Sequence, residues 1–163
     1  MRITSLFGTA ALALFSAQLA VGGAADATSG PAVVGHVYEP TNSATGNAVA
    51  IYDRHRDGSL EPSGSVATGG LGTGASLASQ GAIVRDGRLL FVVNAGDNTI
   101  SALVVKGSRV VLTDRIPSGG NRPVSITVRH GVGYVLNHDS DAVQGFVYDR
   151  SETCGGFRAR PGA

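Results

Sequence analysis

The feature of this sequence that most constrains its fold is an internal repeat of short apolar runs that end in turn-forming residues. The run at 91–94 (FVVN) reappears at 134–137 (YVLN), an offset of 43 residues (137 − 94). The segment at 68–70 (TGG) reappears as 118–120 (SGG), an offset of 50 residues (120 − 70). A unit of short strands that recurs every ~40–50 residues is typical of a β-propeller blade.

The stretch at 80–116 shows the unit in its complete form. Four runs rich in apolar and β-branched residues predict strands at 80–85, 88–93, 99–105 and 109–116. Asp86-Gly87 between the first two runs is a strong hairpin signal, and the segments NAGDN and KGS between the later runs are turn-forming. Strands joined by such short turns pair antiparallel in sequence order, so this stretch predicts a four-stranded meander.

Weaker copies of the unit flank this meander. Three strands are predicted before it, at 32–38, 47–52 and 59–68, and three after it, at 125–128, 132–136 and 142–148. Glycine is abundant, with 24 residues, and no stretch after residue 27 has a helical period. We therefore predict an all-β protein in which about three four-stranded antiparallel meanders form adjacent blades of an incomplete propeller. The blades are expected at about 32–68, 75–117 and 124–150, within a domain at 28–150.

The continuous apolar runs also predict which side chains are buried. A blade packs both of its faces against neighbouring blades, so both sets of alternating side chains in its middle strands can be apolar. The residues expected to be buried are Phe91, Val93, Ile100, Leu103, Val135, Val143 and Phe146. Residues 151–163 show no alternation and include the single cysteine, Cys154. They predict an irregular C-terminal tail, which suggests a truncated or frame-shifted product of a longer parent.

The first 27 residues have the pattern of a secretory signal peptide. Arg2 gives a positive start, residues 6–21 are apolar, and Ala25 and Ala27 place small side chains where a signal peptidase cleaves. We expect cleavage after Ala27 and a secreted or extracytoplasmic mature chain. An uncleaved membrane anchor is the alternative, against which the short apolar core argues. The net charge of +1 gives no reason to expect a nucleic acid or an anionic membrane as a partner.

The repeated motifs indicate a family. The runs at 91–94 and 134–137 resemble the Tyr-Val-Thr-Asn repeat, and the segment at 118–125 (SGGNRPVS) resembles the joint between blades in the lactonase family related to 6-phosphogluconolactonase. The resemblance covers roughly residues 32–149 and implies a seven-bladed propeller. It also implies a full-length parent that hydrolyses or forms the lactone of a small acid. A small-molecule lactone or sugar acid is then the expected ligand, and no cofactor is expected.

Four polar residues near these motifs are the candidate site. Lactone hydrolysis needs a base for water and a cation or donor for the developing oxyanion, and His138 and Arg122 are the catalytic candidates for these two roles. Asn94 and Asn137 end the repeated strands and are the substrate-binding candidates. The simpler alternatives stay open: a loop histidine, a surface arginine and two turn asparagines. The four histidines have no partners at ligand spacing, so no metal site is predicted.

Three functions are compatible with the sequence. A lactonase-like enzyme would gather polar residues at the propeller axis. A non-catalytic extracytoplasmic binding or scaffold propeller would have a featureless channel, and a non-functional remnant is the third alternative. With about three blades, the axis is open to water and blade edges and faces are uncovered. We therefore expect this chain alone to self-associate through its open blade edges and to lack measurable lactonase activity.

Overall fold

The computed structural model describes residues 31–150 and 157–159, and this part of the chain forms eleven strands in three antiparallel sheets. Sheet 1 consists of β1 (Val33–Pro40), β2 (Ala48–His55) and β3 (Leu60–Ala67). Sheet 2 consists of β4 (Ile83–Asp86), β5 (Leu89–Asn94), β6 (Thr99–Lys106) and β7 (Arg109–Pro117). Sheet 3 consists of β8 (Pro123–Arg129), β9 (Val132–Asn137), β10 (Ala142–Tyr148) and β11 (Phe157–Ala159).

Each sheet is a meander whose strands are hydrogen-bonded in sequence order. The three sheets have the organisation of propeller blades, so the predicted all-β fold class is confirmed. A 3₁₀ turn at His138–Ser140 is the single helical segment in the described ranges, and no helix there is long and apolar enough to cross a membrane. The predicted signal peptide lies outside the described residues, as does most of the predicted tail.

The first strand of sheet 2 is shorter than its sequence pattern predicts. β4 begins at Ile83, whereas the apolar run suggested a start at residue 80. The backbone at Gly81 bonds instead to sheet 3, where the carbonyl of Gly81 accepts a hydrogen bond from the amide of Ile126 (2.8 Å). A Cβ at position 81 would lie 2.4 Å from the Ser125 hydroxyl oxygen, so this close approach between two sheets requires a glycine.

Sheet 2 is buried on both faces, as expected for a middle blade. Alternate residues of β5 face opposite sides: Leu89, Phe91 and Val93 contact sheet 3, while Leu90 and Val92 contact sheet 1. Their partners in sheet 3 are Ile126, Val135, Phe146 and Tyr148, and those in sheet 1 are Val49 and Ile51. Every residue of β5 is buried, which explains why its sequence is continuously apolar rather than alternating.

An aromatic cluster lies between sheets 2 and 3. The ring of Phe91 lies 4.7 Å from that of Tyr148 and 5.8 Å from that of Phe146, measured between centroids. The Tyr148 hydroxyl donates a hydrogen bond to a carboxylate oxygen of Asp86 (2.6 Å), the last residue of β4. Burial, together with this hydrogen bond, raises the pKa of Tyr148 to about 12. The cluster thus joins the two sheets by apolar packing and by one hydrogen bond.

Six of the seven residues predicted to be buried are buried, and Val143 is the exception. The Val143 side chain is 54% exposed. It has the same position in β10 that Ile100 has in β6, but it lies on the face of sheet 3 that points away from sheet 2. No described element covers that face. The repeat therefore predicted the orientation of Val143 correctly. The prediction that Val143 is buried was wrong, because it assumed that another sheet covers this face.

The segment after residue 150 differs in one respect from the expected irregular tail. Residues Phe157–Ala159 form β11, which pairs antiparallel with the end of β10, so sheet 3 has a fourth strand. Alternation is not visible in a strand of three residues, and for this reason the pattern did not reveal it. Sheet 1 has three strands within the described residues, as its sequence predicted.

Candidate functional site

Asn94, one of the predicted substrate-binding residues, is fully buried between sheets 1 and 2. Its Oδ1 accepts hydrogen bonds from Asn47 Nδ2 (3.0 Å) and Thr68 Oγ1 (2.7 Å). Its Nδ2 donates to Thr99 Oγ1 (3.0 Å) and Ser101 Oγ (2.8 Å). A side-chain amide offers two acceptor and two donor positions, and all four are used here. The side chain therefore holds two sheets together and presents no free group to a ligand.

Asn137 is the equivalent residue of sheet 3, and it is also fully buried. Its Nδ2 donates to the carbonyl of Ser118 (3.1 Å). Its Oδ1 is the single buried side-chain nitrogen or oxygen atom without a partner in the described ranges. The Ser118 hydroxyl, whose counterpart Thr68 donates to Asn94, donates instead to the carbonyl of Gly120 (3.0 Å). The second copy of the asparagine site is thus incompletely hydrogen-bonded.

The repeated glycines explain why each asparagine is enclosed. A Cβ at Gly70 would lie 2.4–2.6 Å from side-chain atoms of Asn94, and a Cβ at Gly120 would lie 2.7–2.8 Å from those of Asn137. Each joint between sheets therefore runs directly over the asparagine of the following sheet, which only a glycine permits. The Gly-Gly and Asn motifs of the repeat form one structural unit.

The two predicted catalytic residues, Arg122 and His138, lie close together and share a carboxylate. Arg122 Nη1 donates to Asp139 Oδ1 (3.1 Å), and His138 Nδ1 lies 2.8 Å from the same oxygen. The side chain of Arg122 is 35% exposed, that of His138 60%, and that of Asp139 48%. The structure therefore brings the two candidates together at the surface. Arg122 lies directly before β8, and His138 lies directly after β9.

The backbone of the joint fixes the position of Arg122. Its φ of 53° is in the left-handed region, which costs a non-glycine residue roughly 1–2 kcal/mol. Two hydrogen bonds hold this conformation: the Arg122 amide donates to Asn98 Oδ1 (2.7 Å), and the His138 amide donates to the Arg122 carbonyl (3.0 Å). A strained residue held by its surroundings is more common at functional sites than elsewhere.

The first joint, between β3 and β4, shares one backbone hydrogen bond with the second joint, between β7 and β8, but lacks its ionisable side chains. In the second joint the Asp139 amide donates to the carbonyl of Asn121 (3.2 Å), and in the first joint the Gly96 amide donates to the carbonyl of Leu71 (2.9 Å). By the offsets of 43 and 50, the counterparts of Arg122, His138 and Asp139 are Gly72, Ala95 and Gly96. The charged cluster is therefore a local addition to the repeat and not part of its scaffold.

The electrostatics of the cluster centre on Asp139. The hydrogen bond from His138, and to a lesser extent the positive charge of Arg122, lowers the pKa of the Asp139 carboxyl below its ordinary value, and desolvation opposes this shift. In the tautomer of His138 that donates from Nδ1 to Asp139, Nε2 is the ring nitrogen that can accept a hydrogen bond. Asp139 was not among the predicted site residues, although its position next to His138 in the sequence was a usable signal.

The described residues contain no group of three or more histidine, cysteine or acidic side chains that could hold a metal ion. Two small cavities among the described residues do not include the cluster. A cavity of about 150 Å³ lies beside Asp86, Arg88 and Arg150, and one of about 140 Å³ lies beside Tyr38 and Leu90. The side chains of the Arg122–His138–Asp139 cluster are 35–60% exposed, so the cluster is an open surface arrangement.

Comparisons with known proteins agree with the fold. No protein-family profile matches the sequence, and no curated protein matches it significantly. The crystal structure of a functionally unknown protein from Desulfotomaculum acetoxidans DSM 771 is similar, with a TM-score of 0.60 and 22% identity over 78% of this chain and 41% of that protein. The periplasmic gluconolactonase of Pseudomonas aeruginosa has a TM-score of 0.53 and 22% identity over 71% of this chain and 34% of the enzyme.

These similarities concern the fold alone, because both identities are low. The chain spans less than half of the length of either protein. Fold similarity does not by itself transfer an activity, since one propeller architecture carries many unrelated functions. The chain therefore shares its fold with part of a gluconolactonase and with part of a protein of unknown function.

Proposed function

We propose that the chain is part of an extracytoplasmic lactonase-like β-propeller whose Arg122–His138–Asp139 cluster binds a sugar acid or its lactone. The observation that carries the proposal is the replacement of glycine, alanine and glycine in the first joint by arginine, histidine and aspartate in the second. The gluconolactonase among the structural neighbours supports the choice of substrate class. Its periplasmic location and the signal-like sequence of residues 1–27 support export.

The cluster has the chemical groups that lactone hydrolysis requires. In the proposed reaction, His138 Nε2 takes a proton from water, and the resulting hydroxide attacks the lactone carbonyl. The Arg122 guanidinium stabilises the oxyanion that forms. The ring C–O bond then breaks, the leaving alkoxide takes the proton from His138, and a hydroxy acid is released. Asp139 holds the imidazole by the 2.8 Å contact and lies against the guanidinium at 3.1 Å.

Exposure of the cluster limits what this chain can do alone. Water reaches His138 and Asp139, which are 60% and 48% exposed. A developing oxyanion is stabilised far less in such a setting than in a site from which water is excluded. We therefore expect ligand binding by these residues, and no lactone hydrolysis by the monomeric chain above the spontaneous rate.

Binding of gluconate, followed by amide chemical shifts in NMR spectra of the purified chain, tests the site. The expected result is a set of shifts around the second joint and a dissociation constant that rises at least about 10-fold in Arg122→Gln, which loses a charge-assisted hydrogen bond. Arg115→Gln is the matched control, because Arg115 forms a similarly exposed ion pair with Asp97 (2.9 Å). Equal weakening in both variants, or shifts confined to other regions, would contradict the proposal.

Hydrolysis of a panel of simple lactones, measured on the same samples, tests the expected inactivity. A non-catalytic binding propeller, the alternative function, would bind gluconate without any requirement for His138. The lactonase proposal expects His138→Gln to alter the binding of the lactone through the lost contact with the ring oxygen. Measurable hydrolysis by a monomer would show that the open axis does not prevent catalysis and that the described residues contain the complete site.

A further inference from the structure

The outer face of sheet 3 is an apolar surface with no partner in the described part of the chain. Four large side chains of β9 and β10 point outward from it and are between 39% and 54% exposed: Tyr134, Leu136, Val143 and Val147. On the opposite face of the same strands, Val135 and Phe146 are almost completely buried against sheet 2. We call the four outward residues the outer face of sheet 3.

The repeat shows what kind of surface such a face contacts. At the offset of 43, the outer face of sheet 3 corresponds to Phe91, Val93, Ile100 and Val104 of sheet 2. Those four residues belong to the core between sheets 2 and 3, where they contact the inward face of the next sheet. The outer face of sheet 3 is therefore chemically equivalent to a surface that already packs on another blade-like sheet in this molecule.

A surface that could receive the outer face of sheet 3 lies on sheet 1, on the face that points away from sheet 2. In sheet 1, Val49 and Ile51 face sheet 2, so Ala50 and Tyr52 lie on the opposite face of β2. Val37 is paired with Tyr52 and shares that face. All three are partly exposed, and no described sheet covers them. We call these residues the outer face of sheet 1.

We propose that the outer face of sheet 3 docks on the outer face of sheet 1 of a second copy of this chain. The interface continues the sheet-on-sheet packing that already joins sheets 1, 2 and 3. Two head-to-tail contacts of this kind would unite six sheets in a closed ring, and closed propellers contain about 4–8 blades. A contact of the outer face of sheet 3 with itself would instead leave the outer face of sheet 1 uncovered.

The mass of the purified chain in solution, measured by light scattering and native mass spectrometry, tests the proposal. The expected result is a dimer. In Val143→Glu, a buried unpaired carboxylate should raise the dissociation constant by about 100-fold or more and give a monomer. Val111→Glu is the matched control, because Val111 is a partly exposed valine on β7, outside both faces, and this variant should remain a dimer. Circular dichroism checks that each variant is folded.

A mixing experiment tests the head-to-tail arrangement. Tyr52→Glu and Val143→Glu should each be monomeric, since each variant disrupts both contacts of the ring. Mixed together, they should form a 1:1 heterodimer, because the intact sheet 3 of one variant can dock on the intact sheet 1 of the other. A wild-type monomer would overturn the proposal. So would a dimeric Tyr52→Glu variant, a mixture that stays monomeric, or open-ended wild-type assemblies.

Discussion

Replacing Asn94 and Asn137 by alanine, one at a time, separates a structural role of the repeated asparagines from a role in ligand binding. The two residues end equivalent strands, and both are completely buried. They differ in their hydrogen bonds, since Asn94 makes four to neighbouring side chains and Asn137 makes one to a backbone carbonyl. Asn137→Ala is therefore the matched control for Asn94→Ala.

The two substitutions should differ severalfold in their effect on the free energy of unfolding. Asn94→Ala removes four hydrogen bonds, each with a net value of about 0.5–1.5 kcal/mol, so the expected loss is about 2–6 kcal/mol. Asn137→Ala removes one hydrogen bond but also removes the unpartnered Oδ1, whose burial costs about 1–3 kcal/mol. These two contributions oppose each other, so the expected net change lies between a gain of about 2.5 kcal/mol and a loss of about 0.5 kcal/mol.

Urea denaturation followed by circular dichroism measures the change in the free energy of unfolding for both variants. The protein concentration must be the same in all samples, because any self-association would add a concentration-dependent contribution to the stability. The m-values of the two variants should agree with that of the wild type, so that a change in midpoint reports a change in stability. Equal losses for the two variants would refute the reasoning, and a greater loss for Asn137→Ala would show that its Oδ1 has a partner in solution.

Two further substitutions test the packing between sheets 2 and 3. Phe91→Ala should lower the free energy of unfolding by about 3–5 kcal/mol, because Phe91 is fully buried between Phe146 and Tyr148. A loss below about 1 kcal/mol in the same urea assay would contradict the assignment of Phe91 to the core. The pKa of Tyr148 in the folded protein, about 12, is above its ordinary value of 10. The protonated hydroxyl therefore contributes stability that is complete below pH 10 and is lost as the pH rises towards 12. Between pH 9 and 12, Tyr148→Phe should lose less stability than the wild type, as measured by the urea midpoints. A variant whose midpoints fall with pH as much as those of the wild type would refute this linkage.

The sequence by itself determined the strand order and the meander topology. Period-two and continuous apolar runs, Asp86-Gly87 and the repeated Gly-Gly joints are local signals, because turn chemistry and strand propensity act between neighbouring residues. The same signals placed His138 directly after a repeated strand and Arg122 in the joint between blades. The antiparallel pairing of β4 to β7 follows from these signals almost residue by residue, except where the backbone at Gly81 bonds to sheet 3.

Only the tertiary structure decided which side chains meet across the sheets. Val143 has the sequence environment of a buried residue, and its exposure depends on whether another sheet covers it. Asn94 and Asn137 have the same sequence motif, yet one is fully hydrogen-bonded and the other is not, because Asn47 and Thr68 approach from a different sheet. The convergence of Arg122 and His138 on Asp139 likewise depends on a joint and a turn brought together by folding. Burial and long-range hydrogen bonds are properties of the assembled sheets, and a local pattern does not encode them.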